Sequence, residues 1–189
     1  WNHPTLGALP PVEVIPIAEE CGLIDELGLI AFRQACRTAR SWPNLAIAVN
    51  LSPVQFRVPS LPTTLRRIAH EEKVDPGQIE LEITESLFIE DGSLCGPAMQ
   101  QLRRDGFRIA LDDFGTGYSS LSCLRTFPVD KIKLDRSFID LAERDQSVAI
   151  IRAAVTLGHA MAHEVNAEGV SCAEEERIAI DAGCDALQG

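Results

Sequence analysis

An α/β fold built on a parallel sheet is predicted by the way short β-rich runs alternate with longer amphipathic segments along the whole chain. Two further observations agree with it. Each apolar β-run ends in a polar residue, and no linker, tandem repeat or low-complexity stretch divides the 189 residues into separate units. Strands are predicted at 46–51, 79–84, 107–112, 131–135, 164–168 and 186–188, in a regular βα series. A helix is predicted over 24–40, stopped by Pro43. In the next helical segment Leu65, Ile68 and Ala69 share a face while Arg66 and Arg67 point away. Asp75, Pro76 and Gly77 signal a turn ahead of one strand, and Phe127 and Pro128 ahead of another. Val148, Ile151, Ala154 and Val155 recur at helical spacing, which predicts a helix over 146–161.

Composition narrows the classes. Seventeen Lys and Arg against 28 Asp and Glu give a formal charge of −11, which argues against a protein that grips nucleic-acid polymers through their phosphates. An anionic ligand would need local help, such as a bound metal. No apolar run approaches the roughly 20 residues of a membrane helix, and the first residues do not read as a signal peptide. The six cysteines form no C-x-x-C pair and are expected to be reduced and mostly buried, in a reducing, cytoplasmic setting. His159 and His163 lie four apart, but no third ligand is spaced for zinc. Trp1, Trp42 and the seven phenylalanines are read as packing residues.

The polar strand ends carry the chemistry. Asn50, Glu82, Asp112 with Asp113, Lys133 with Asp135, Glu168 and Gln188 each close or punctuate an apolar run. In a closed parallel barrel all such ends open on one face. A single polar strand end usually just caps a helix or meets solvent. Six in succession are a different matter, because carboxylates brought together repel unless a cation neutralises them. Asn50, Glu82, Asp112, Asp113 and Glu168 are hard oxygen donors of the type Mg²⁺ or Mn²⁺ prefers. Adjacent Asp112 and Asp113 would normally face opposite sides of a strand. At a strand end both can point to one pocket, and a pair of ions roughly 3.5–4 Å apart suits phosphodiester cleavage.

These residues occur within longer motifs. Ala18 to Ile24, Val49 to Ser52, Glu82 to Ser86, Asp112 to Leu121 (DDFGTGYSSL), Lys131 to Phe138 (KIKLDRSF), Ala167 to Val170 and the final Gln188 and Gly189 closely resemble the EAL-domain family, in the family's order and over essentially the whole chain. The resemblance implies a modified TIM-type (β/α)8 barrel and hydrolysis of the bacterial second messenger cyclic di-GMP to linear pGpG, with two Mg²⁺ or Mn²⁺ ions. It implies Asn50, Glu82 and Asp112 as first-metal ligands, with Asp112 bridging and Asp113 on the second metal. Glu168 matches the second-metal or general-base carboxylate, Lys133 would touch the nucleophilic water, Asp135 lies beside it, and Gln188 matches an active-site glutamine. Glu85 resembles the residue that anchors the flexible loop after Asp113. That loop, with Gly115 and Gly117, lies near the family's dimer interface, so a homodimer is expected.

The same resemblance sets out departures. The family's Glu-Ala-Leu segment and a substrate-positioning arginine belong just before Trp1, and a last strand and helices belong after Gly189, so residues 1–189 are expected to form an EAL domain lacking parts of both ends. Ser171 stands where a second glutamate is usual, and Asn166 replaces an apolar strand residue. A catalytically degenerate cyclic di-GMP receptor or interaction module is therefore the alternative to a hydrolase. A different metal-dependent barrel enzyme is a third, weaker one. Sensory, membrane-tethering or cyclase-like domains upstream would fit either of the first two.

Overall fold

The computed structural model describes residues 1–115, 124, 127–139 and 144–189. Its elements are β1 (Asn2–His3), β2 (Gly7–Ala8), α1 (Pro11–Glu20), α2 (Ile24–Ser41), β3 (Ile47–Leu51), α3 (Leu61–Glu72), β4 (Ile79–Thr84), α4 (Ser86–Arg104), β5 (Arg108–Phe114), β6 (Lys131–Leu134), α5 (Arg144–Ala160), β7 (Glu164–Glu168), α6 (Ala173–Ala182) and β8 (Ala186–Gln188). Strands β3 to β8 pair in sequence order, all parallel, into one curled half-barrel sheet. The six predicted strands are therefore present. The β1–β2 hairpin and α1 had no clear signal, since each strand of the hairpin is two residues long and α1 carries Pro11 and Pro16.

Strand alternation divides the sheet into two unlike faces. Ile79, Leu81, Ile83, Ile109, Leu111, Ile132, Leu134, Val165 and Ala167 lie in one buried cluster with Phe32, Cys36, Leu65, Ile68, Met99, Leu102, Ile151 and Val155 from the helices. The intervening positions are Glu80 and Glu82, Ala110 and Asp112, Lys131 and Lys133, Asn166 and Glu168. All but Ala110 are polar, and these side chains meet one another on the opposite, concave face. Lys131 Nζ, for example, lies 2.6 Å from Glu80 Oε2. The concave side is polar where barrel interiors are commonly filled by Val, Ile and Leu.

Two aspartates pin the strand starts in the same way. Ile109 N–H at the start of β5 donates to Asp130 Oδ2 at 2.9 Å, and Arg103 near the end of α4 donates to Asp130 Oδ1 at 2.7 Å. Val165 N–H in β7 donates to Asp185 Oδ2 at 2.8 Å, and His159 near the end of α5 pairs with that oxygen at 2.9 Å. The Val165 N–H first, and His159 second, hold the Asp185 carboxyl below the usual range. This contribution is complete above the ordinary aspartate value and is lost as pH falls through the depressed one. Asp185→Ala should lower the unfolding free energy by about 1–2 kcal/mol near neutral pH. Urea titration should show the difference shrinking in strong acid.

Several details differ from expectation. Trp1 and Trp42 are 67% and 59% exposed and do not pack into the core. Of the five described cysteines, Cys36 and Cys95 are buried, Cys184 is partly buried, and Cys21 and Cys172 are exposed. Cys123 lies outside the described residues. Helix α5 runs through Gly158 and ends at Ala160, so His163 lies beyond it.

Candidate active site

The C-terminal ends of the strands converge as predicted. Asn50 of β3 sits opposite Glu82 of β4, Thr84 of β4 opposite Asp112 of β5, Lys133 of β6 opposite Asn166 of β7, and Glu168 of β7 opposite Gln188 of β8. At the centre is the Lys133 ammonium, 3% exposed. It lies 2.6 Å from Glu82 Oε1 and 3.1 Å from Asp112 Oδ1, and it also pairs with Glu168 Oε1. Asn50 Nδ2 donates to the other Glu82 oxygen at 3.1 Å, so Glu82 links the amide to the ammonium.

Strand β5 supplies two carboxylates to this mouth by breaking its own register. The predicted strand ended at Asp112; the observed one runs on to Phe114, with a register shift against β6 between Leu111 and Phe114. Asp113 occupies the left-handed region at φ 53°, where a non-glycine residue is uncommon. A bulge of this kind upsets strict alternation. As a result, carboxylate oxygens of Asp112, Asp113 and Glu168 all lie within 4.8 Å of one another, the metal-capable group found among the described residues.

The electrostatics of the cluster are unbalanced toward negative charge. Burial pushes the Asp113 carboxyl up, and the charges of Asp112 and Asp135 push it further. Burial also raises Glu168; contact with Lys133 pulls it back, and the charge of Asp112 raises it again. For Lys133 burial alone would lower the pKa, but its contacts with Glu168, Glu82 and Asp112 outweigh burial and hold it above the ordinary lysine value. Lys133 is therefore an ammonium at neutral pH and cannot serve as a base there. Asp112 Oδ1 and Glu168 Oε1 are buried and meet that ammonium at ion-pair distance without a well-directed hydrogen bond. Oxygens in this state, next to carboxyls already driven toward protonation, fit a divalent cation. Asp112, Asp113 and Glu168 could hold one directly. Asn50 and Glu82 form their hydrogen-bonded pair beside that trio.

The remaining predicted residues are placed as follows. Asp135 follows β6 and accepts from Ser137 N–H at 2.9 Å, capping the turn Arg136–Phe138; the Ser137 side chain first, and this N–H to a lesser degree, hold its carboxyl below the usual range. Glu85 is buried at the start of α4 and its Oε2 accepts from Gly115 N–H at 3.4 Å. Gly115 has φ 96°, and a Cβ there would collide with the Phe138 ring, so both conformation and space require glycine. The rest of the expected loop, residues 116–118, lies outside the described residues. Gln188 is exposed at the end of β8. His159 serves Asp185 and takes no part in the site. Ser52, which the motif contains without a predicted role, donates to Glu19 Oε1 at 2.6 Å and ties α1 to the end of β3. Its small polar side chain just past a strand end gave no signal of that tie.

Comparison with known proteins bears on the family and the fold. The EAL domain family model matches residues 1–189. The cyclic di-GMP phosphodiesterase PdeR of Escherichia coli is 38% identical over 194 residues, which is all of this chain and 29% of PdeR. MucR of Pseudomonas aeruginosa, named a bifunctional diguanylate cyclase/cyclic di-GMP phosphodiesterase, is 37% identical over 195 residues, all of this chain and 28% of MucR. A solved complex of the PaMucR phosphodiesterase with c-di-GMP superimposes with a TM-score of 0.93 at 37% identity, covering 100% of this chain and 79% of that one. The manganese and c-di-GMP complex of Klebsiella pneumoniae BlrP1 gives a TM-score of 0.86 at 29% identity over 97% of this chain and 47% of that one. The chain spans about a quarter of the length of the curated relatives it matches. No helix among the described residues is long and apolar enough to cross a membrane. With the family model matched end to end and TIM-like structural neighbours at high TM-score, the chain belongs to the EAL-domain family.

Proposed function

We propose that this chain hydrolyses one phosphodiester bond of cyclic di-GMP to give linear pGpG, using Mg²⁺ or Mn²⁺ at the strand ends. The observation that carries the reading is the Lys133 ammonium held among Glu82, Asp112 and Glu168, beside the trio of Asp112, Asp113 and Glu168. The donor set suits two divalent ions, with Asn50, Glu82 and Asp112 assigned to one and Asp113 and Glu168, sharing Asp112, to the other. When bound, such ions lower the pKa of water and offset phosphate charge.

The side chains supply the rest. Water attacks phosphorus in line with the departing ribose oxygen, the P–O bond to that oxygen breaks, the oxygen takes a proton from solvent water to leave as the ribose hydroxyl, and the ring opens. Glu168, which pairs with Lys133 at the centre of the cluster, takes the proton from the attacking water. Lys133 stays protonated, orients the attacking oxygen and stabilises charge that accumulates on the phosphoryl oxygens. Asp135 and Gln188 border the substrate, and Glu85 fixes the backbone at Gly115 just after Asp113.

Incubating the protein with cyclic di-GMP and Mn²⁺ should yield pGpG by chromatography, and excess chelator should stop it. Binding without product would replace the hydrolase with the receptor reading. The domain is further proposed to act as a homodimer in the cytoplasm, beside sensory or cyclase-like domains; the bifunctional name of MucR supports the cyclase-like neighbour.

A further inference from the structure

We propose that Arg136 reads a guanine base of the substrate and so sets the enzyme's preference for guanine over adenine; this rests on the reading that cyclic di-GMP occupies the site above. Arg136 follows Asp135 at the lip of β6 and opens the turn Arg136–Phe138. Its stem is fixed across the neighbouring lip. A Cβ on Gly169, the residue after Glu168, would fall 2.6 Å from both Cβ and Cγ of Arg136 and 2.9 Å from its Cδ. Only glycine, here at φ 71°, leaves room for that stem. The arginine is thus laid over the backbone beside Glu168.

The head of this side chain is uncommitted. Arg136 is exposed, and among the described residues its guanidinium makes no ion pair or hydrogen bond. Nearby acids are occupied elsewhere. Asp135 caps the turn through Ser137 N–H. Glu175 accepts from Ser171 N–H, Ser171 Oγ and Cys172 N–H, so the lip after Gly169 directs its carboxylate to its own backbone. Lys133, by contrast, is buried and consumed by three carboxylates.

The shape of the ligand assigns what such an arginine meets. In a cyclic dinucleotide both phosphates belong to the ring and the bases project outward. The phosphate to be cleaved must reach the carboxylate cluster, which leaves a base at the rim. Arg136 stands at that rim and does not pair with the cluster. Guanine offers O6 and N7 as two acceptors on one edge, matched to the fork of a guanidinium; adenine places an amino donor where O6 would be.

The test compares wild type with Arg136→Ala and Arg136→Lys on cyclic di-GMP and cyclic di-AMP in Mn²⁺, by turnover and by calorimetric binding. The alanine variant should raise KM and Kd for cyclic di-GMP by about 10- to 100-fold. Its kcat should stay within about threefold, and cyclic di-AMP should shift by less than about threefold. Lysine, a point charge without the fork, should not restore the preference. Equal losses on the two ligands, or no loss on cyclic di-GMP, would overturn the assignment. If wild type binds but makes no product, the hydrolase reading fails, and the guanine-selective loss of binding still decides for or against Arg136.

Discussion

Asp112→Asn should lower turnover of cyclic di-GMP by on the order of 10³-fold or more and weaken Mn²⁺ binding, yet melt no lower than wild type in chelator. Asp112 is the residue shared by both groupings at the site: it faces the Lys133 ammonium and belongs to the trio with Asp113 and Glu168. Asparagine keeps its size and one acceptor oxygen but removes the charge. In the metal-free protein that charge acts against its neighbours, since it raises the carboxyls of both Asp113 and Glu168. Its removal relaxes this repulsion while depriving a divalent ion of a ligand. Calorimetric titration with Mn²⁺, product assays and melting curves in chelator measure the three effects separately. Retained activity would remove Asp112 from the chemistry, and a fall of many degrees in chelator would make its role structural.

Lys133→Met is expected to act in the opposite sense on stability. It leaves Glu82, Asp112 and Glu168 facing one another without the ammonium, and the metal-free protein should lose about 3–5 kcal/mol, read by urea unfolding. Added Mn²⁺ should restore part of that loss, while turnover stays about 10²- to 10³-fold low. The pH dependence has a definite sign. Because the folded-state pKa of Lys133 is raised, its contribution is complete below the ordinary lysine value of 10.5 and is lost only as pH climbs through the higher one. Deprotonation of Lys133 therefore does not alter the gap between wild type and variant across the neutral range. On acidification the gap should narrow, since Glu168 and Asp113 have raised pKa values and protonate early, which removes the repulsion that methionine exposes.

Much of this was legible in the residues. The sheet could be read because Ile79, Leu81 and Ile83 alternate with Glu80 and Glu82, a period that only a strand with two unlike faces explains. The same alternation named the site: the polar member of each pair is what the concave face collects. What could not be read depends on departures from period. The bulge that carries β5 to Phe114 breaks alternation at Asp112 and Asp113, so the strand seemed to stop two residues early. Helix α1 was hidden by Pro16, whose missing N–H argues against a helix locally, and the helix forms nonetheless with Ala18 buried. The exposure of Trp1 and Trp42 was missed because residue type indicates a tendency to bury, not a place in the fold. Arg136 stood in plain view inside a motif, but its free head follows from how Gly169 seats its stem, a contact between strands that spacing does not encode.

The strict sequence order of strands β3 to β8 also bears on how the molecule is made. Every pairing in the large sheet joins neighbours along the chain, so each step closes only the segment between consecutive strands and never waits for a distant one. Such a chain can add one strand at a time as it is synthesised, with the helices that follow β3, β4, β6 and β7 packing on the apolar side as they form. The charged side follows a different schedule. Glu82 enters with β4, Lys133 with β6 and Glu168 with β7, so the first carboxylates to arrive spend the early stages of assembly without their ammonium. The apolar layer drives folding from the start, and the cluster of Glu82, Asp112, Lys133 and Glu168 gains its counter-charge only when β6 docks.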